Sequence, residues 1–207
     1  MSEYGYIPEA PTQSWGNNKG IFTPNDIYDL TRDDKFTDYG QLDLIQTQTT
    51  SDGDTAVNFT SLYEYNVHFL VWNNLTSTSA ETNTVFRLSN DGGSSFISSG
   101  YQYAFQFQRI SSPLELKDTS SAYMGYANNL NHDVAGNGYA YFYNLLDSTK
   151  YSFNTFHGSC NSNTFESSFG SGVLPTTETH NALQLTCNTD SFTAGASVSL
   201  YGIKEYS

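Results

Sequence analysis

"GYQYAFQFQRI", residues 100–110, is the stretch whose reading decides the fold. Tyr101, Tyr103, Phe105 and Phe107 recur at every second position, with Gln102, Gln106 and Gln108 on the alternate ones. Successive side chains of a strand point to opposite faces, so a period of two predicts a β-strand with one aromatic and one amide face. Such a strand cannot shelter its aromatic face alone; it needs neighbours and a second layer.

The same pattern recurs on both sides. Upstream, "TVFRLS" (84–89) runs into "NDGGSS", where Asn90, Asp91, Gly92 and Gly93 supply the positive-φ positions of a turn. "QLDLIQTQ" (41–48) sets Leu42 and Leu44 against polar neighbours before slipping at Ile45; "TAVNFTSL" (55–62) puts Val57 and Phe59 on one face; "YNVHFLVW" (65–72) supplies Val67, Phe69 and Val71 as an apolar face, with His68 on the polar side. Downstream, strands are predicted at 138–145, 150–157, 163–169, 182–187 and 196–204, for about nine or ten in all. In the last, "SFTAGASVSLYGIKEYS" (191–207), Ala196, Val198 and Leu200 face a core, Ser197, Ser199 and Tyr201 face out, and Gly202 permits a bulge or a close approach. A strand placed there needs a sheet edge to join. Evenly spaced strands with turn chemistry between them, and no helices to make crossovers, indicate an all-β fold: an antiparallel, jelly-roll-like β-sandwich.

Composition agrees and excludes some partners. Only 14% of the 207 residues are charged, while Ser, Thr, Asn, Gly and Tyr abound, as on a solvated sheet surface rich in turns. Lys and Arg number 8 against 21 Asp and Glu, a net charge of −13 that opposes phosphate backbones and anionic lipid, so no nucleic-acid partner is expected. "MSEYGYIPEA" (1–10) lacks the basic and apolar regions of a signal peptide, and no apolar run approaches the about 20 residues of a membrane span, so neither Sec export nor membrane insertion is expected. Cys160 and Cys187 do not make a disulfide framework and pair only if adjacent strands bring them together.

Residues 1–40 differ in texture. They hold Pro8, Pro11 and Pro24, three of the chain's five prolines, and show no alternation. Proline fixes φ and donates no ladder bond, so an extended arm following another surface is expected. Its apolar residues Tyr4, Tyr6, Ile7, Trp15, Ile21 and Phe22 read as anchors rather than as a free tail. Inside it, "FTPNDIYDLTRDD" (22–34) predicts one short helix, with Thr23 as N-cap, Pro24 at the first helical position, Asp26 as the acid of a capping box, and Ile27 and Leu30 on one face. That face packs on its own domain or docks on a partner.

Catalytic signatures are missing. There is no G-x-S-x-G elbow, no H-E-x-x-H, no phosphate-binding GxxxxGK[ST] and no G-x-G-x-x-G. Four histidines, at 68, 132, 157 and 180, permit a Ser-His-Asp triad only arithmetically, and His68 reads as solvated or hydrogen-bonded. His157, Cys160, His180 and Cys187 offer zinc-type ligands at spacings that match no common template; two buried thiols explain the cysteines as well. Asp52 and Asp54 in "TSDGDT", and Asn90 and Asp91, offer oxygens to calcium without the full loop spacing, and turn formation accounts for them. No catalytic residue, cofactor site or metal ligand is assigned. Aromatic residues remain, at 15% of the chain. "GYAYFYNLL" (138–146) carries Tyr139, Tyr141 and Tyr143 on one face with Ala140 and Phe142 on the other. If the tyrosine row faces outward it suits sugar rings or a protein interface, because it joins an apolar body to a polar tip; packing into the core is the plainer use of such a row.

Four runs carry a resemblance. "GYIPEAPTQSWGNNKGIFTPNDIYDL" (5–30), "LIQTQTTSDGDTAVNFTSLYEYNVHFLVWNNL" (44–75), "VFRLSNDGGSSFISSGYQYAF" (85–105) and "SVSLYGIKE" (197–205), in this order, resemble virion structural proteins of tailed bacteriophages, many of them marine. The resemblance implies a non-enzymatic protein of the virion surface, assembled in the host cytoplasm, in which residues 1–40 dock and residues 41–207 form the projecting sandwich. It implies other virion proteins as partners, a homo-oligomer, and either a tail-fibre or adhesin role with binding of a host-surface glycan, or a capsid-decoration or head-fibre role. A glycan-depolymerising enzyme on the same scaffold is the alternative from another class, and needs two carboxylates in a cleft.

Overall fold

Thr23 and Asp26 cap each other at the start of a short helix. In the structure, a computed structural model that describes residues 13–14, 17–18, 23–33, 41–79, 82–130, 134–161 and 164–204, the chain divides into two units, Met1–Gln41 and Leu42–Ser207. In the first, β1 (Gln13–Ser14) pairs antiparallel with β2 (Asn17–Asn18), and α1 (Pro24–Arg32) follows. The Thr23 hydroxyl accepts from the Asp26 N–H at 3.2 Å, and the Asp26 carboxylate accepts from the Thr23 N–H at 2.8 Å, satisfying two of the donors a helix start leaves open. Those bonds hold the Asp26 carboxyl below its ordinary value. No α1 residue is buried: Ile27 is exposed and Leu30 half-buried. The expected anchors Tyr4, Tyr6, Ile7, Trp15, Ile21 and Phe22 lie outside the residues whose side chains are described.

The second unit is all β. Its strands are β3 (Leu42–Thr49), β4 (Ala56–Phe59), β5 (Val67–Leu75), β6 (Thr82–Ser89), β7 (Tyr101–Arg109), β8 (Leu114–Ser121), β9 (Tyr126–Leu130), β10 (Gly136–Tyr143), β11 (Ser152–Asn161), β12 (Phe165–Leu174), β13 (Ala182–Cys187) and β14 (Ser197–Ile203). They make two antiparallel sheets, one of eight strands in the order β3-β14-β5-β10-β11-β12-β7-β8 and one of four in the order β4-β13-β6-β9. Four antiparallel pairs nest along the chain: β3 with β14, β4 with β13, β5 with β10 and β6 with β9. Rolled so that alternate pairs fall in opposite sheets, this nesting is the jelly roll expected from the sequence. Two hairpins are inserted into it, β7–β8 between β6 and β9, and β11–β12 between β10 and β13. Through the β12–β7 and β10–β11 pairings they double the width of one sheet.

Leu70, Trp72, Ala140, Phe142, Val198 and Leu200 of the large sheet are fully buried against Val57, Phe59, Phe86, Leu183 and Leu185 of the small one. The small sheet comes close because the large one offers it a row without side-chain bulk: Gly138, Gly158 and Ser168 sit opposite one another across β10, β11 and β12. A Cβ on Gly158 would run into the Ala127 carbonyl of β9, and the Ser168 hydroxyl donates to that same carbonyl at 2.6 Å.

Three expectations are corrected. In β5 the inward residues are His68, Leu70 and Trp72, while Val67, Phe69 and Val71 face out half-buried. Both faces of this central strand are apolar, so alternation cannot choose between them, and the buried His68 ring is held by the Tyr63 carbonyl at 3.2 Å rather than by solvent. In β3, Leu42 and Leu44 are exposed, because a register shift opposite Leu200 and Tyr201 turns Ile45 toward the core in their place. The closing strand does bury Ala196, Val198 and Leu200, and Tyr65 lies where a Gly202 side chain would stand, yet β14 fills a slot between β3 and β5 rather than joining an edge. No helix among the described residues is long and apolar enough to cross a membrane.

Candidate functional site

The outer face of the eight-stranded sheet gathers half of the large apolar side chains left in water among the described residues: Leu42, Leu44, Tyr139, Phe153, Phe165 and Phe169. Register fixes its rows. One runs Leu44, Tyr201, Phe69, Tyr141, Thr155, Ser171, Ala104, Lys117 across all eight strands. Two residues to one side stand Tyr143, Phe153 and Val173; two to the other stand Tyr139, His157 and Phe169. Between β10 and β8 the central row is small, so it forms the floor of a trough whose walls are the bulky rows.

With strands about 4.8 Å apart and residues about 3.4 Å apart, the trough is roughly 19 Å long and roughly 14 Å from wall to wall. Phe153 and Phe169 are each 42% exposed and Tyr139 40%, so the walls stand open to solvent rather than in the core. The rings support one another. Phe69 stacks on Tyr141 at 4.7 Å and lies 5.9 Å from Tyr139; Tyr139 meets the His157 ring edge-on at 5.9 Å, and His157 meets Phe169 at 6.4 Å. Polar tips are spaced among them: the Tyr143 hydroxyl is 3.2 Å from that of Thr155, and His157 Nε2 is 2.8 Å from the Ser167 hydroxyl. Floor and walls between Tyr141 and Ala104 carry no Asp, Glu, Lys or Arg; Glu115, Lys117 and Asp118 stand only at the β8 end.

Tyr139, Tyr141 and Tyr143 therefore all lie on this face, as an outward row. Sequence reasoning missed their companions Phe69, Phe153, His157 and Phe169. The alternation in "YSFNTFH" (151–157) hints at Phe153, but only register shows that it stands beside Tyr143.

Elsewhere, residues with chemical potential are bound up in the fold. Ser152, His180 and Glu178 form a hydrogen-bonded line, Ser152 Oγ to His180 Nδ1 at 2.7 Å and His180 Nε2 to Glu178 Oε1 at 3.3 Å. Both Ser152 and the imidazole have no exposed surface, so no substrate reaches the hydroxyl, and the line pins the start of β11 to the loop before β13. Burial lowers the His180 pKa, opposed by the Glu178 carboxylate. His157 faces out from β11, whereas Cys160 lies buried on its other face and Cys187 in the other sheet; neither cysteine forms a disulfide, and no cluster of metal-ligating side chains is found among the described residues. His132 lies outside them. Asp91 accepts from the Ser95 hydroxyl at 2.6 Å and N–H at 2.9 Å and from Ser89 at 2.7 Å, which pull its pKa down to about 2, and Asp52 and Asp54 accept from the Ala194 and Ser51 N–H groups at 2.8 and 2.7 Å. These carboxylates are occupied in turns.

No protein family, characterised protein or solved structure matches this chain.

Proposed function

We propose that the chain is a non-enzymatic surface protein of a virion, of the tail-fibre or adhesin kind, whose sandwich binds a neutral host-surface glycan in the outer-face trough while its N-terminal segment attaches to other virion proteins. The virion part of this reading rests on the sequence resemblance; the observation that carries the glycan site is the trough's lining: exposed aromatic rings as walls, hydroxyl and imidazole groups between them, and no charge until its β8 end. A pyranose ring has an apolar face that stacks on an aromatic ring and a rim of hydroxyls that exchange hydrogen bonds with tyrosine, serine, threonine and histidine. A net charge of −13 repels polyanions, and short of its β8 end the lining offers no carboxylates to a polycation. A neutral sugar polymer satisfies both conditions.

Two further points support it over its alternatives. Glycoside hydrolysis needs two carboxyl groups about 5–9.5 Å apart on either side of the scissile bond, whereas the acids bordering the trough among the described residues, Glu115 and Asp118, both stand on β8, with none on the opposite aromatic side. Capsid decoration, in turn, needs no solvent-facing aromatic trough.

The test is a neutral-glycan array followed by titration calorimetry of any hit against the full chain and its Phe169→Ala variant. Binding that weakens about tenfold or more in the variant supports the reading. Failure to bind any glycan at high protein concentration, or release of reducing ends from one, overturns it.

A further inference from the structure

The two edges of the large sheet are unlike. β8, at one end, carries Glu115, Lys117 and Asp118, the charged decoration by which edge strands avoid pairing with other chains. β3, at the other, carries Leu42, Leu44, Gln46, Thr47, Gln48 and Thr49 around a single acid, Asp43. That acid is engaged: it accepts from the Tyr65 hydroxyl at 2.8 Å and pairs with Lys204 at 3.0 Å. Among the described residues no strand pairs with the free side of β3. Leu44 is 59% exposed and Leu42 46%, and both continue the outer-face rows begun by Tyr201 and Ile203. β3 is thus an eight-residue strand with, among the described residues, an open ladder on one side, no charge directed outward and two leucines in water.

We infer that a second copy of this chain adds its own β3 to this edge, antiparallel and about a twofold axis, so that the two large sheets become one. Three observations favour a copy over a foreign partner. An antiparallel edge is self-complementary, since the same residues meet on both sides of a twofold. Foreign partners are selected through complementary charge, and this edge shows none to read. The copies each carry −13, so contact at most other surfaces sets like charges against each other, whereas here leucine meets leucine. Leucine also distinguishes this end of the face from the trough, because it gives a sugar neither a ring nor a hydrogen bond. Directly opposed side chains in such a pair lie about 5 Å apart, close enough for the leucines of the two copies to shield one another.

The inference stands apart from glycan binding and is tested without it. Sedimentation equilibrium of the full chain should give twice the chain mass, and Leu42→Lys/Leu44→Lys should give the single-chain mass with an unchanged far-UV circular dichroism spectrum and a melting temperature that, unlike the parent's, does not rise with protein concentration, since both side chains lie outside the core. Single cysteines placed in turn at positions 42, 44, 47 and 49 should cross-link under mild oxidation at the position nearest the twofold, with the native Cys160 and Cys187 shielded by burial. A full chain that sediments at single-chain mass overturns the inference, as does a dimer that survives the double lysine variant or one that cross-links at none of the four positions.

Discussion

Trp72 of β5 donates its indole N–H to the side-chain oxygen of Asn128 on β9 at 2.5 Å, and both side chains are buried between the sheets. The bond ties the middle of the large sheet to the edge strand of the small one. Asn128 is also fixed by Thr84, whose hydroxyl accepts its backbone N–H at 3.0 Å. Asn128→Ala leaves the Trp72 N–H without an acceptor in a dry interior, at a cost of about 2–3 kcal/mol. Urea unfolding followed by far-UV circular dichroism should show the midpoint fall with the slope unchanged.

Gly158→Ala should be more damaging than its single methyl suggests. The added carbon points at the Ala127 carbonyl, which the Ser168 hydroxyl already holds in place. The strand must then lift off the sheet and lose the packing of β9, so a destabilisation of about 2 kcal/mol or more is expected, read as a lower melting temperature. Gly92, with φ +75° and open space where a Cβ would stand, should lose about 1 kcal/mol on substitution by Ala through backbone strain alone.

Phe153→Ala and Phe169→Ala should separate stability from ligand binding. Both rings are 42% exposed, so each variant should keep its unfolding free energy within about 1 kcal/mol. Glycan affinity, in contrast, should fall about tenfold in each, as calorimetry of the two variants beside the parent will show.

Stability should decline as pH falls from 6.5 toward 4. Burial drives the His68 pKa down from 6.5 to about 4 against the weaker pull of the Tyr63 carbonyl, so within that window the unfolded chain takes up a proton that the folded one refuses. The loss approaches about 3 kcal/mol by the acid end of the window. His180, lowered in the same direction, adds to it. Across this range the melting temperature of His68→Leu should fall less than that of the parent, because the variant has no ring to protonate at this site.

Ser152→Ala should lower stability by about 1 kcal/mol, the value of one buried hydrogen bond to the His180 ring. If the line from Ser152 to Glu178 instead acted as a nucleophilic triad, a serine-directed phosphonate would label the parent and not the variant; no labelling of either is expected.

Strands with one apolar face were legible, as in Tyr101 to Phe107 and Ala196 to Leu200, because burial and sequence share the same period there. β5 was misread for a physical reason: a strand central to a large sheet and covered by aromatic neighbours on its outer side is apolar on both faces, so only packing tells Leu70 from Phe69. β8 passed unnoticed because its "LELKDTSS" reads as polar, as an unprotected edge must. Of the trough, only the row Tyr139, Tyr141 and Tyr143 was legible. The trough exists because Tyr141, Thr155, Ser171 and Ala104 are set side by side by pairings between strands far apart in sequence, and register of that kind has no local signal.

The slot occupied by β14 has a kinetic consequence. Leu200 sits opposite Gln46 on one side and Leu70 on the other, so the large sheet stays split between its first and third strands until nearly the whole domain has left the ribosome. Nothing local can stand in for that late partner. Assembly should be slow, limited by the search of a distant segment for a gap already shaped to receive it, and the half-built sheet is the species that a chaperone or an aggregate would meet.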